Sequence, residues 1–294
     1  MIAAVIVVVC IIALAVAGLK PGVDFASGSI LTLSFEQEVP QDELETELAS
    51  LGYTGDVETD QNENLLIRTV ELTMAQKSEL MDDLSERFGA VTEKGFENVD
   101  PVIATETART AAIAVAIAAV GILAYVTWAF HRMPKPFHYG TCAIIALVHD
   151  LVLVLGIFSI LGAGLGWEIN LMFITGVLAV IGYSVNNTVV VFDRIRENLR
   201  KGISPTFEGV VNASLVETFS RSLNTSLTTL LVVLALTLFV GASIQNFAVT
   251  LLIGILAGTY SSLFVAPLLL VTWEKGDWKS LLPGIGSFRK AREG

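Results

Sequence analysis

Cysteine is almost absent: two in 294 residues, Cys10 and Cys142, both inside apolar runs. That excludes a disulfide framework and a thiolate zinc site, and both read as small hydrophobes. Charge is scarce as well, at 16% of residues, and it runs acidic, with 18 Lys+Arg against 29 Asp+Glu. With no basic surface to offset phosphates, nucleic acid is not an expected partner. Three histidines and no H-E-x-x-H leave no zinc-hydrolase motif, so no metal, no cofactor and no catalytic residue is expected. What fills the chain is apolar. At 53% hydrophobic residues and a mean hydropathy of +0.67, it belongs mostly in lipid, which excludes a soluble globule and a disordered chain.

A hydrocarbon core about 30 Å thick needs about 20 apolar residues at 1.5 Å rise, and six segments qualify. They lie near Ile2–Leu19, Thr110–Phe130, Tyr139–Gly162, Glu168–Phe192, Leu223–Val240 and Ile244–Trp273. The reading is a first span in residues 1–20, an aqueous domain over 21–109, a five-helix bundle over 110–273 and a tail over 274–294. Residues 21–109 hold 20 acidic and five basic side chains, a net −15, which leaves +4 for the rest. Lys and Arg cluster in the connections His131–His138 and Asp193–Arg221 and in the tail, while Ala163–Trp167 and Gly241–Ser243 have none. The positive-inside rule then puts both termini in the cytoplasm and the acidic domain outside. Ala15-Val16-Ala17 also resembles a signal-peptidase site, but no positive charge precedes the apolar run, so a retained span is expected.

Within the acidic domain the apolar period switches in a readable order. Ser29–Phe35 alternates as a strand does, and Pro40–Glu43 opens a helix whose Leu44, Leu48 and Leu51 recur at helical spacing. Strands follow near Asp56–Asp60 and Leu65–Val70 around the turn Gln61-Asn62-Glu63. Thr73 is placed to cap a helix reaching Phe88, and a last strand covers Ala90–Val99. The order βαββαβ predicts a ferredoxin-like α+β domain, a fold that by itself says little about activity. Its acids read as a solvated surface, or as a polyanion attracting basic segments.

Polar residues inside the spans need a reason, because an ionisable group at mid-bilayer costs about 2.5–3.5 kcal/mol. Asp150 falls near the midplane of its span, with His149 beside it. It suits proton carriage, or a packing role as a hydrogen-bonded carboxyl. Two further clusters are Gly182-Tyr183-Ser184-Val185-Asn186-Asn187-Thr188 and Arg221–Thr229. Asn187 on one helix and Arg221, Thr225 and Thr228 on the next are expected to form an interhelical network, or to act as ordinary polar glue. Arg221 also has the reach to snorkel to the headgroups. The run Asp193–Asn198 continues the fourth helix into the cytoplasm, where spacing favours the pairs Asp193–Arg196 and Glu197–Lys201.

The run from Ile181 through Gly182, Tyr183, Asn186 and Asn187 to Asp193, Arg194, Arg196, Glu197 and Asn198 closely resembles the fourth-span signature of the SecD/SecF protein-export family, within the resistance-nodulation-division superfamily. Gly22-Val23-Asp24-Phe25 resembles its G-x-D-F motif, and Ser220–Thr229 the start of its fifth span. The resemblance covers the whole chain. It implies an accessory subunit of the translocation channel that acts on exported polypeptides at the outer face, paired with a SecD-like protein. For bacterial members the resemblance implies coupling to proton flow through an aspartate in the fourth span and an arginine in the fifth. The arginine corresponds to Arg221, but Asn187 stands at the aspartate position, and an amide cannot exchange a proton. With Ala26-Ser27-Gly28 after Phe25, these departures resemble archaeal members. The rival readings are an intramembrane enzyme, a structural anchor, and a stand-alone superfamily transporter of small molecules or lipids working as a dimer.

Overall fold

The computed structural model describes residues 2–59, 64–239 and 244–276. The chain divides into two compact units, Pro21–Ile113 and a second made of Met1–Lys20 with Ala114–Gly294.

In the first unit, α2 (Val23–Ala26) leads into β1 (Gly28–Phe35), followed by α3 (Gln41–Ser50), β2 (Gly55–Thr59), β3 (Leu65–Thr69), α4 (Met74–Phe88) and β4 (Val91–Val99). The four strands form one antiparallel sheet in the order β2-β3-β1-β4. Alternation decides which residues face the helices: Leu31 and Leu33 on β1 and Leu65 and Ile67 on β3 are buried with Leu44 and Leu48 of α3 and Leu80 and Leu84 of α4. On β4, Thr32 pairs Gly95 while Leu33 pairs Glu93, so Lys94 is bulged out of register. Thr73 caps α4 in a reciprocal box, its hydroxyl accepting from the Gln76 amide while the Gln76 side chain accepts from the Thr73 amide. The turn expected at 61–63 lies outside the described residues.

The second unit is helical: α1 (Ile2–Val16), then α5 (Pro101–Ala129), which starts in the first unit, α6 (Pro136–Leu165), α7 (Leu171–Lys201), α8 (Phe207–Phe239), α9 (Gln245–Tyr260), a π-turn (Ser261–Val265) and α10 (Ala266–Lys275). Five helices among the described residues are long and apolar enough to cross a membrane, the last running continuously from Gln245 to Lys275. The chain is thus a polytopic helical membrane protein with a small sheet region. The first expected span is shorter than anticipated. The 15 residues of α1 cover about 22 Å, less than a full hydrocarbon core, because Gly18 takes a left-handed conformation just after it. The expected connection from Asp193 to Arg221 is also mostly helix: α7 runs on to Lys201 and α8 begins at Phe207, leaving only residues 202–206 between them. Gly202, left-handed at φ 64°, ends α7. The connection at 241–243 and the tail beyond 276 lie outside the described residues.

Half of the apolar window of α7, and half of that of Gln245–Lys275, is buried, against 6% for α5 and 17% for α8, so α7 and α9 form the core and α5 and α8 its flanks. Small residues let α7 and α9 meet. A Cβ on Gly176 would lie 2.8 Å from Thr250, one on Gly254 would overlap Val180, and one on Gly258 would lie 3.0 Å from Ser184. Partners advance by four on both helices, so the two run parallel, with Gly254 and Gly258 spaced as in a G-x-x-x-G seam. On the other side, Gly156 of α6 admits Cys10 of α1, and Ser159 donates to the Ala13 carbonyl at 3.0 Å.

Candidate functional site

Apolar side chains of the bundle form two separate clusters. One gathers Phe130, Tyr139, Phe192, Ile195 and Leu263, with α6 supplying Cys142 and Ala146. The other gathers Phe158, Phe173, Val177 and Ile181, with α6 supplying Leu147 and Val154. At the midpoint of the 30-residue α6, between Leu147 and Val154 of the second cluster, stands Asp150, fully buried.

Its carboxyl is surrounded by donors from three segments. Ser184 of α7 donates to Oδ2 at 2.5 Å, and Ser261, first residue of the π-turn, donates to the same oxygen at 2.7 Å. His149 Nδ1 lies 3.0 Å from Oδ1. The imidazole is stacked on Tyr260 at 6.2 Å, and its Nε2 is buried with no hydrogen-bond partner. Local backbone geometry makes this convergence possible. The close approach at Gly258 brings α9 onto Ser184, and the π-turn, with one extra residue per turn, carries Ser261 towards α6. A carboxylate accepts from all three donors, whereas a neutral carboxyl has a proton of its own to direct to an unprotonated Nδ1.

The second expected constellation is arranged differently. Asn187 is buried, 4% exposed, with Nδ2 unpartnered, while Asn186 and Gly182 are exposed. Arg221, Asn224, Thr225 and Thr228 all point outward from α8, and the Thr228 hydroxyl donates to its own helix at Asn224 and Thr225. The expected network of Asn187 with Arg221, Thr225 and Thr228 is thus not formed. The inward face of α8 is instead a stripe one residue per turn: Ser214, Thr218, Ser222 and Ser226, all buried. Small hydroxyl side chains allow the helices to approach where an arginine would not, which is why Arg221 is turned out. Ser226 accepts from Tyr183 of α7 at 3.0 Å and from Thr259 of α9 at 2.6 Å.

Past the apolar span, α7 is clamped to α8. Arg194 reaches Glu217 and Glu197, each at 2.5 Å, and Asn198 donates to Glu217 at 2.8 Å and to Ser214 at 3.0 Å. The expected pairs Asp193–Arg196 and Glu197–Lys201 are both present. The Asn198 amide, with Arg194 beside it, holds the Glu217 carboxyl below the usual range; Lys201 and then Arg194 do the same for Glu197. In the other unit, buried Gly22 precedes the short α2, whose Asp24 and Phe25 are half-buried. Among the described residues no three His, Cys, Asp or Glu side chains gather to hold a metal.

Residues 80–276 match the family model for the protein export membrane protein SecD/SecF, C-terminal part, and residues 12–39 match the SecD/SecF GG motif. The chain is 41% identical over 274 residues to protein translocase subunit SecF of Thermobaculum terrenum, covering 89% of this chain and 86% of that one. It is 40% identical over 275 residues to the SecF subunit of Anaerolinea thermophila, covering 92% and 89%. Among solved structures it resembles SecDF, a translocon-associated membrane protein from Thermus thermophilus, with a TM-score of 0.82 at 32% identity. That match covers 93% of this chain but 37% of the SecDF chain. A super-membrane-facing form of SecDF gives a TM-score of 0.66 at 30% identity, over 99% of this chain and 38% of that one. The relatives are bacterial, so the archaeal likeness read from Asn187 and from Ala26-Ser27-Gly28 gives way to a kinship with SecF subunits in general. From the match over residues 80–276 and the identity to SecF subunits along nearly its whole length, the chain belongs to the SecD/SecF family of protein export membrane proteins.

Proposed function

We propose that this chain is the SecF-type accessory subunit of a Sec translocon, working with a SecD-like partner to help polypeptides cross or enter the cytoplasmic membrane. The observation that carries this beyond family membership is the outward face of α8. Arg221, Asn224, Thr225 and Thr228 share one side of the helix and are exposed on the bundle. Asn224, Thr225 and Thr228 turn polar groups outward at the start of the apolar span, with Arg221 just before it, and polar side chains on the outer face of a membrane bundle call for a protein cover. A six-span partner supplies one. In this reading α1 is the first of six spans in a half-bundle of the resistance-nodulation-division type. Residues 21–109 are a ferredoxin-like domain outside the membrane, and both termini and the Arg194–Glu217 clamp lie in the cytoplasm, in keeping with the positive-inside rule. Exported polypeptides, the SecD-like protein and the translocation channel are the partners. Asn187 cannot carry a proton, so any ion coupling within this subunit runs through another group.

A cysteine introduced at Thr225, combined with single cysteines placed in turn along the membrane helices of the SecD-like protein made in the same cells, tests the cover. Oxidative cross-linking is expected to join the two proteins. Adducts of this chain with itself alone would favour the dimeric-transporter reading instead.

A further inference from the structure

Asp150 and its partners have a feature that packing alone does not require. The Ser261 hydroxyl carries one hydrogen and has two acceptors in reach, Asp150 Oδ2 at 2.7 Å and the carbonyl of Gly258, three residues back on its own helix, at 3.3 Å. The carboxylate is the stronger acceptor, so an ionised Asp150 holds the hydroxyl across the helix interface. A neutral carboxyl loses that advantage.

We propose that Asp150 and His149 together bind one proton at the centre of the membrane bundle, and that binding hands the Ser261 hydroxyl from Asp150 to Gly258, resetting the π-turn that starts at Ser261. Without the proton the dyad is an anion, with imidazole Nδ1–H and two serine hydroxyls all donating to the carboxylate. The arriving proton takes the lone pair of His149 Nε2, buried without a partner, and the Nδ1 proton moves to Asp150 Oδ1. The product is a neutral carboxyl and a neutral imidazole of the other tautomer, one proton richer and with no net charge in the bilayer. A π-turn is a local departure from the α-helical ladder, and a serine bonded back to its own helix perturbs that ladder, so moving the Ser261 bond biases the turn.

The groups around the dyad support a single-proton site. From α9, Tyr260 stacks on the imidazole; from α7, Tyr183 is engaged with Ser226; the π-turn offers Ser261 and α7 offers Ser184. Among the described residues no Lys, Arg or second carboxylate bonds to Asp150, and Arg221 points away on α8. The seam at Gly254 and Gly258 leads directly into the π-turn, so a reset there alters how α10 continues from α9.

This proton site is built from the chain's own residues and is independent of any role in export. The test uses the full chain in lipid nanodiscs, followed by infrared difference spectroscopy across the pH range in which carboxyls and imidazoles titrate. A neutral-carboxyl band is expected to rise as pH falls, to be missing in Asp150→Asn, and to shift its midpoint in His149→Gln. In Ser261→Ala the band is retained, while the accompanying amide change from the π-turn is lost. A band that does not respond to pH in the wild type, or an amide change that persists in Ser261→Ala, would overturn the proposal. Should Asp150→Asn fail to fold, carbon-13 labelling of aspartate with the His149→Gln comparison assigns the band. Because no export is measured, a failure here leaves the subunit's role in translocation standing, and the reverse holds.

Discussion

A Cβ placed on Gly254 of α9 would overlap the side chain of Val180 on α7, so the backbone of one central helix rests against the side chain of the other. Valine is stiff at χ1 and cannot swing aside. Gly254→Ala is therefore expected to destabilise the bundle by about 1–3 kcal/mol, as overpacking does. Val180→Ala in the same molecule is expected to recover part of that loss, since neighbouring sites couple. Unfolding in detergent micelles measures both, and an unchanged midpoint for Gly254→Ala would contradict the seam.

The capping box at Thr73 is the clearest local device of the small domain. Removing its hydroxyl in Thr73→Ala leaves the Gln76 amide without its acceptor and is expected to cost about 1 kcal/mol. Faster hydrogen exchange confined to the first turn of α4 is the signature. Exchange raised evenly across the domain would assign Thr73 a different role.

Acid should open the α7–α8 clamp. The carboxyls of Glu217 and Glu197 lie below the ordinary glutamate range when folded, held there by the Asn198 amide and Arg194 and by Lys201 and Arg194 respectively. A depressed folded value means the clamp contributes fully above the unfolded value, near 4.3, and is lost as pH falls through the lowered folded values. The distance distribution between spin labels at the exposed Arg200 of α7 and Asn212 of α8, read by pulsed electron paramagnetic resonance, is expected to broaden over that window. In Glu217→Gln the acid step should shrink, because one of the two titrating carboxylates is gone; an identical step would exclude Glu217 as its source.

How much of this was legible in the sequence differs by element. The order of strands and helices in the small domain followed from the switch between period two and period 3.6, and Thr73 was marked by its place before an amphipathic run. Asp150 was legible because an acid stands out in an apolar helix. Its partner Ser184 sat inside a polar run, but Ser261 was hidden: a serine costs little in a membrane helix, and only the π-turn aims it at α6. Helix rotation was equally unreadable. Arg221, Thr225 and Thr228 have perfect spacing for one face, yet Ser214, Thr218, Ser222 and Ser226 recur every fourth residue on another, and close packing chose the smaller set. The continuation of α7 past the lipid was legible in the run Asp193–Asn198, but the start of α8 was placed too late because hydropathy marks the lipid, whereas the helix begins before it in polar residues.

Arg221 is exposed on α8 and makes no ion pair among the described residues. Arg221→Ala is therefore expected to leave stability within about 0.5 kcal/mol of the parent, as surface changes do, while slowing export in cells. Pulse-chase labelling of a secreted protein reads the second effect. Normal export in this variant would remove Arg221 from the working face.

A role in export is read most simply from the rate at which a signal-bearing precursor disappears from the cytoplasm in cells depleted of this protein and then resupplied with it. Accumulation of precursor on depletion, reversed by the intact chain together with its SecD-like partner, is the expected outcome. Secretion that proceeds at an undiminished rate throughout depletion would rule that role out.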